Sequence, residues 1–86
     1  MTMVTVRYWA AAKQAAGVAE EILAAGTLAE MVAAVLARHP AAPALKDVLA
    51  RSSFLVDGEQ ASARPPESVT LPEGAVVEVL PPFAGG

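Results

Sequence analysis

Few residues of this 86-residue chain could take part in nucleophilic or metal chemistry. The chain has one histidine, His39, and no cysteine, so the sequence offers no thiolate nucleophile, no disulfide and no thiolate ligands for zinc. The serine pair Ser52 and Ser53 has no histidine placed to activate it. We therefore expect no metal site and no catalytic constellation, and no enzymatic activity of the chain on its own.

The charged residues suggest no acid–base pair. His39 precedes Pro40 at the end of a predicted helix, where a histidine is expected to cap the helix or to lie at the surface. Glu20, Glu21 and Glu78 have no visible acidic partner and are expected to be solvated surface charges.

The segment EVLPPFAGG, residues 78–86, is the part of the chain with a clear chemical use. Pro81 and Pro82 fix φ and favour an extended path that ends the preceding strand. Six extended residues would project about 20 Å from the body of the domain. Gly85 and Gly86 have no Cβ, so they could thread a slot too narrow for other residues. The group at the far end is expected to be the α-carboxylate of Gly86.

A free α-carboxylate has a pKa of about 3.5 and is an inert anion at neutral pH. It becomes reactive only if a second protein activates it, for example as an acyl-adenylate, and attack by a sulfur donor would then give a thiocarboxylate. Ala84 would belong to the threading segment, while Phe83 either anchors in a groove of a partner or folds back onto the core. The other interpretation of this segment is a strand stop followed by fraying, without chemistry.

The elements that must position this segment follow from periodicity and turn residues. Residues 3–9 alternate as a strand, 10–16 favour a short helix, and 18–25 are an ambiguous second strand. Thr27 and Glu30 form a capping box before a helix with an apolar stripe, which ends at Pro40. Residues 42–53 could add a helical turn or two. Asp57-Gly58 predicts a hairpin, 64–68 a loop, and 75–80 a last strand.

One helix across one face of a small mixed sheet is the economical way to bury these apolar faces, and it predicts an α+β fold. The first and last strands have the clearest strand patterns, and pairing them side by side at the sheet centre would make them parallel. That arrangement is a β-grasp, or ubiquitin-like, fold. We predict one domain over residues 1–80 and an extended tail over 81–86 that ends in Gly-Gly.

Composition excludes several classes of partner. The net charge is −3 and the six basic residues are scattered, so we expect no binding of nucleic acid and a protein partner with a basic docking patch instead. No uncharged run is long enough to cross a bilayer, and the N-terminus is not a signal peptide, so we expect no membrane association and a cytoplasmic location.

The stretches MVTVRYWAAAK, TLAEMVAAVLARHP and LPEGAVVEVLPPFAGG, together with the length, resemble the small sulfur-carrying subunits of molybdopterin synthase, the MoaD family. The resemblance covers nearly the whole chain. Its most specific part is the ending, in which a strand, Pro81-Pro82, Phe83, Ala84 and Gly85-Gly86 follow in the order of the family.

The resemblance implies a β-grasp carrier that binds no cofactor itself. Gly86 would be adenylated by an E1-like enzyme of the MoeB type, which uses ATP and Mg²⁺, and would then become a thiocarboxylate. The tail would enter a MoaE-like large subunit within a heterotetramer and deliver sulfur to cyclic pyranopterin monophosphate in molybdenum cofactor biosynthesis. Catalytic side chains would belong to the large subunit. Phe83 and Trp9 would contribute to docking.

Three alternatives stay open at the level of sequence. A ThiS-like carrier would give sulfur to the thiazole of thiamin through the same chemistry. A ubiquitin-like modifier or binding module would instead be joined through Gly86 to lysines of other proteins. A β-grasp domain with an inert tail is the third. Trp9 also has two interpretations, because it could lie on the sheet surface or pack over the short helix that follows the strand.

Overall fold

The structure, a computed structural model, describes residues 1–82. Its elements are β1 (Met3–Tyr8), α1 (Ala10–Ala16), β2 (Glu20–Ala24), α2 (Leu28–Arg38), α3 (Ala44–Arg51), β3 (Ser53–Val56), β4 (Glu59–Gln60), a 3₁₀ turn (Pro66–Ser68) and β5 (Val76–Leu80). The ambiguous stretch 18–25 therefore contains a strand. The stretch predicted as a loop, 64–68, contains one turn of 3₁₀ helix, which begins at a proline as helical turns often do.

The five strands form one mixed sheet in the order β2-β1-β5-β3-β4. β1 and β5 are parallel, with Val6 opposite Val77 and Tyr8 opposite Val79, and the other pairs are antiparallel. The predicted parallel pairing of the first and last strands is confirmed. β1 is the first element and β5 the last, so every other element lies in the connection between them. Parallel neighbours need such a long crossover.

A single hydrophobic core lies between one face of the sheet, here called the inner face, and the helices. The strands contribute alternate residues, since successive side chains point to opposite faces. The fully buried strand residues include Val4, Val6, Val77 and Val79, and the helices add Ala12, Leu28, Met31, Val35, Leu45 and Leu49. The apolar stripe predicted for α2 is therefore the face that packs on the sheet.

Local capping explains where α2 begins. The Thr27 hydroxyl accepts a hydrogen bond from the backbone N–H of Glu30 at 3.1 Å, as the capping-box pattern predicts. The Glu30 carboxylate does not return to Thr27 but accepts from the N–H of Gly26 at 2.7 Å. An acidic side chain in the first turn also interacts favourably with the positive end of the helix dipole.

The Asp57-Gly58 turn joins β3 to β4, and it is also tied to β5. Asp57 and Gly58 have φ values of 50° and 86°, the left-handed pair that this hairpin type requires. The Asp57 carboxylate accepts from the N–H of Val76 at 2.9 Å, and its own N–H donates to the Val76 carbonyl at 2.8 Å. The predicted hairpin is confirmed, and its turn also holds the start of the last strand.

A polar cluster joins β1, β2 and the end of α2 at the edge of the core. The Glu21 side chain is only 13% exposed, and its carboxylate accepts a hydrogen bond from the Tyr8 hydroxyl. The same carboxylate lies 2.6 Å from His39 Nε2 and 3.5 Å from Arg38 Nε. The expectation of a solvated Glu21 is therefore wrong, because the fold brings donors from two other elements to it.

The ionisation of this cluster follows from its surroundings. Burial by itself would raise the pKa of Glu21, but the hydrogen bonds from Tyr8 and His39 and the charge of Arg38 outweigh burial and leave that pKa below its ordinary value. Burial and the neighbouring Glu21 carboxylate raise the pKa of the Tyr8 hydroxyl far above its ordinary value. Tyr8 therefore stays a hydrogen-bond donor, and Glu21 stays an ionised acceptor.

Replacing Glu21 by glutamine should destabilise the fold at neutral pH. The folded-state pKa of Glu21 lies below its unfolded value of about 4.3, so its contribution to stability is complete above that pH and is lost as the pH falls through the folded-state pKa. We expect Glu21→Gln to lower the free energy of unfolding at pH 7 by about 1–3 kcal/mol. The stability of the Glu21→Gln variant should also fall less than that of the wild type as the pH is lowered. Urea unfolding followed by circular dichroism measures both.

The matched control is Glu20→Gln, the exposed neighbour on the other face of β2. That variant should lose much less stability at pH 7. An unfolding free energy of Glu21→Gln equal to that of the wild type, with the same acid dependence, would show that the cluster does not stabilise the fold.

Candidate functional site

The ends of β1 and β5, and with them the first residues of the segment predicted as a tail, lie side by side. Because β1 and β5 are parallel, their carboxyl ends meet at the same end of the sheet. Trp9 directly follows β1 and donates its backbone N–H to the Val79 carbonyl at 3.3 Å. Pro81 and Pro82 directly follow β5. Trp9 and the base of the tail are therefore neighbours, although 72 positions separate Trp9 from Pro81 (81 − 9).

The Trp9 side chain lies on the face of the sheet opposite the core, here called the outer face. Its indole N–H donates to the Glu78 carboxylate at 3.2 Å, and the residue is 48% exposed. Of the two interpretations of Trp9, the structure shows the one on the sheet surface. A half-exposed tryptophan whose ring is held by a hydrogen bond presents a large apolar surface at little cost in side-chain entropy.

The two prolines that follow β5 differ in burial. Pro81 is buried and Pro82 is exposed. A buried proline holds the base of the tail in place, since its φ is fixed and its ring is packed. Phe83, Ala84, Gly85 and Gly86 lie outside the described residues, and their predicted roles in docking, threading and chemistry remain predictions.

The rest of the outer face is partly apolar and nearly neutral. Arg7 lies opposite Glu20 on one neighbouring strand and opposite Glu78 on the other, an arrangement of opposite charges that stabilises cross-strand pairs. Leu55 and Leu80 are half-buried on this face beside Glu78 and Ser53. The charges of this face are therefore nearly balanced, and the apolar side chains beside Pro81 are its main feature.

Glu78, Leu55 and Leu80 were not predicted as members of this surface. The alternation in VVEVL was a sufficient signal, because with Val77 and Val79 in the core their neighbours in sequence must point outward. Leu55 could not be assigned in the same way, since its register against β5 comes only from tertiary pairing.

The described residues hold no arrangement suited to catalysis. The Glu21 carboxylate already contacts Tyr8, Arg38 and His39, and the lowered pKa of Glu21 makes it a poor base at neutral pH. The Ser52 hydroxyl donates to the Val48 carbonyl at 2.7 Å instead of to a histidine. His39, predicted as a helix cap or surface residue, is indeed the C-cap of α2, but its side chain is only 15% exposed.

Residues 1–82 contain neither a cluster of metal ligands nor a helix that could span a membrane. No three His, Asp or Glu side chains in this range come together as candidate ligands of a metal ion. Within the same range, none of the helices has the length and apolarity needed to cross a bilayer. The feature of the described residues that stands out is the apolar surface of Trp9 and Leu80 beside Pro81.

Comparison with known proteins agrees with this description. The model of the ThiS family matches residues 6–86, which is nearly the whole chain. A search of curated protein sequences finds no match.

Solved structures similar to the chain have the β-grasp fold, so the predicted fold class is confirmed. Small archaeal modifier protein 1 from Methanosarcina acetivorans superimposes with a TM-score of 0.82 at 22% identity, covering 100% of this chain and 98% of that one. A putative subunit 1 of molybdopterin converting factor from Pyrococcus furiosus gives 0.77 at 24% identity, with coverage of 96% and 100%.

A third similar structure is a protein–protein complex of subunits 1 and 2 of molybdopterin-converting factor from Helicobacter pylori, with a TM-score of 0.68, 25% identity and coverage of 99% and 100%. Small carriers of this type are non-catalytic subunits. The match from residue 6 to residue 86, on a β-grasp body whose last strand leads into the Pro-Pro and Gly-Gly segment, shows that the chain belongs to the ThiS family of ubiquitin-like sulfur carriers.

Proposed function

We propose that this chain carries sulfur on the carboxyl group of Gly86 and delivers it within a molybdopterin synthase. An E1-like enzyme of the MoeB type activates Gly86, and a MoaE-like large subunit receives the loaded tail within a heterotetramer. The acceptor is cyclic pyranopterin monophosphate, and the process belongs to cytoplasmic molybdenum cofactor biosynthesis. The chain itself contributes the reactive carboxyl group, the narrow Gly85 spacer and the docking surface.

The observation that carries this proposal is the family match, which extends through Gly86 and so includes the tail as well as the body. The body supports the same conclusion, because it has a rigid base for the tail and no catalytic arrangement of its own within residues 1–82. The complex of subunits 1 and 2 from Helicobacter pylori supports a larger subunit as the partner.

The proposed reaction has three steps. The Gly86 carboxylate attacks the α-phosphate of ATP, with Mg²⁺ held by the activating enzyme, and forms an acyl-adenylate with release of pyrophosphate. A donor of sulfide-level sulfur then attacks the carbonyl carbon, displaces AMP as the leaving group and leaves a thiocarboxylate. The thiocarboxylate sulfur forms a bond to a carbon atom of the pterin precursor as a carbon–oxygen bond of that precursor breaks, and water then hydrolyses the resulting thioester, which leaves the sulfur on the precursor and restores the Gly86 carboxylate. Two such cycles supply the two sulfur atoms of the dithiolene.

The surroundings of Pro81 support the proposal. Pro81 is buried, so the tail starts from a fixed point. Trp9 lies beside that point, and with Leu80 it forms an apolar surface that a partner would cover as the tail enters its active site. Phe83 would add a second aromatic anchor further along, and Ala84 and Gly85 would keep the entering chain narrow.

Sulfur loading at Gly86 is the first result to test. The purified chain, incubated with ATP, Mg²⁺ and a sulfur source in extract of its own cells, should gain the mass that corresponds to replacing one oxygen by sulfur. Intact-mass spectrometry measures the change. A chain that lacks Gly86 should not gain this mass, because its last carboxyl group would belong to Gly85 and would lie one residue short of the active site of the activating enzyme. An unchanged mass beside a converted control carrier would contradict the proposal.

The acceptor is tested separately, with the loaded chain. Mixed with a MoaE-like subunit and cyclic pyranopterin monophosphate, it should return to its original mass as molybdopterin forms. Return of the mass only with thiazole-synthesis proteins would instead identify a ThiS-like carrier.

A protein modifier is the second candidate, and the similarity of the fold to small archaeal modifier protein 1 is the observation that favours it. In that case Gly86 would form isopeptide bonds with lysines. Denaturing gels of cell extract would then show conjugates that disappear when Gly86 is removed. These conjugates would form without sulfur loading.

Truncation of Trp9 should weaken docking of the large subunit. Trp9→Ala removes a half-exposed aromatic side chain beside the base of the tail, and aromatic anchors of this kind contribute about 2 kcal/mol or more to binding, which is about thirtyfold in Kd. Isothermal titration calorimetry with a MoaE-like subunit measures this loss. Trp9→Phe should retain most of the affinity, since it keeps an aromatic ring but loses the hydrogen bond to Glu78.

Met3→Ala is the matched control. Met3 is also an exposed apolar residue of β1, but it lies at the opposite end of the strand from the tail. Its variant should bind with wild-type affinity. Equal affinities of Trp9→Ala and the wild type, with both proteins folded by circular dichroism, would place the docking surface elsewhere.

A further inference from the structure

Among residues 1–82, β2 is an edge strand of the sheet, with β1 as its one neighbour. The Ala19 carbonyl accepts from the N–H of Tyr8 at 2.8 Å, and the Ala25 N–H donates to the Thr2 carbonyl at 2.9 Å. Backbone groups on a strand point alternately to the two sides, so the odd-numbered residues face β1. The N–H and C=O groups of Glu20, Ile22 and Ala24 therefore point away from the sheet.

The central carbonyl of this edge is occupied by a side chain. The Arg38 guanidinium, from the last residue of α2, donates through Nη1 to the Ile22 carbonyl at 2.7 Å. Its Nε lies 3.5 Å from the Glu21 carboxylate, which Tyr8 and His39 hold in turn. Arg38 is thus fixed from two sides, although its side chain is 52% exposed.

Without Arg38, the β2 edge would be complementary to a second copy of itself. Antiparallel pairing centred on Ile22 places Ile22 opposite Ile22, Glu20 opposite Ala24 and Glu21 opposite Leu23, so no two carboxylates face each other. Ile22 is 61% exposed, and the pairing would bring two such side chains into contact. The two Ile22 residues would also exchange backbone hydrogen bonds, which requires the carbonyl that Arg38 occupies.

We propose that Arg38 prevents edge-to-edge dimerisation of this protein by capping the Ile22 carbonyl of β2. An unpaired edge is a template for strand addition, and a charged side chain that covers it is one of the ways in which proteins prevent such pairing. A second copy has to displace a charge-assisted hydrogen bond and the contact of Arg38 with Glu21 before it can pair. This role is independent of the tail and of the proposed sulfur chemistry.

The test is the oligomeric state of the full chain. Arg38→Ala should strengthen self-association by about tenfold or more relative to the wild type, because the charge-assisted hydrogen bond of Arg38 in each of the two copies no longer competes with pairing. Sedimentation equilibrium over a range of protein concentrations measures the dimer constant. Arg38→Met, which keeps an unbranched apolar stem, provides a second variant if Arg38→Ala does not fold. Arg51→Ala removes another exposed arginine at a helix end and should leave the constant unchanged.

A second substitution identifies the surface used. The Ile22 N–H points away from β1, so Ile22→Pro removes an edge donor without removing a hydrogen bond to β1. Added to Arg38→Ala, it should restore the wild-type dimer constant. Folded Arg38 variants that associate no more strongly than the wild type would overturn the proposal. A dimer of Arg38→Ala that persists with Ile22→Pro would also overturn it, since it would use another surface.

Discussion

The parallel pairing of β1 with β5 is the constraint on which the rest of this structure depends. It places the two most strongly patterned strands side by side, and their inner residues, such as Val6, Val77 and Val79, are completely buried. Parallel strands cannot be joined by a short turn, so all of the helices and the other strands belong to the crossover. The same pairing brings Trp9 to the base of the tail.

The helices cover only one face of the sheet, and this has a functional consequence. A domain of this size has a small core, and here one layer of helices is enough to complete it. The outer face keeps a few half-buried apolar side chains and a balanced set of charges around Arg7. A partner that covered such a face would be recognised by shape and apolar contact more than by charge.

The cluster around Glu21 shows how a partly buried carboxylate can be useful outside catalysis. Tyr8 of β1, Arg38 at the end of α2 and His39 just after α2 compensate the cost of removing Glu21 from water. The ionised carboxylate then orients Arg38 toward the open edge of β2. Stability and protection of the edge therefore have the same origin, and the cluster resembles a catalytic site only in its residue types.

The sequence by itself determined the elements and turns of this protein, because these depend on residues close together in the chain. Alternation predicted β1 and β5, the apolar stripe and Thr27 predicted α2, and Asp57-Gly58 predicted the hairpin. The prediction of the fold class also succeeded, since two strong strands and one amphipathic helix leave few ways to bury their apolar faces. The tail was recognisable from its own residues, and its predicted chemistry rests on them and on the family match.

Only the tertiary structure decided what Glu21, His39 and Arg38 do. Their contacts join residues 13 to 18 positions apart, and no local pattern distinguishes a glutamate that meets Tyr8 and His39 from one that faces water. The strand in the ambiguous stretch 18–25 has the same explanation, because its pairing with β1 determines that Leu23 is buried and Ile22 exposed. Periodicity and turn chemistry act over a few residues, whereas strand register and the satisfaction of buried polar groups are properties of the assembled fold.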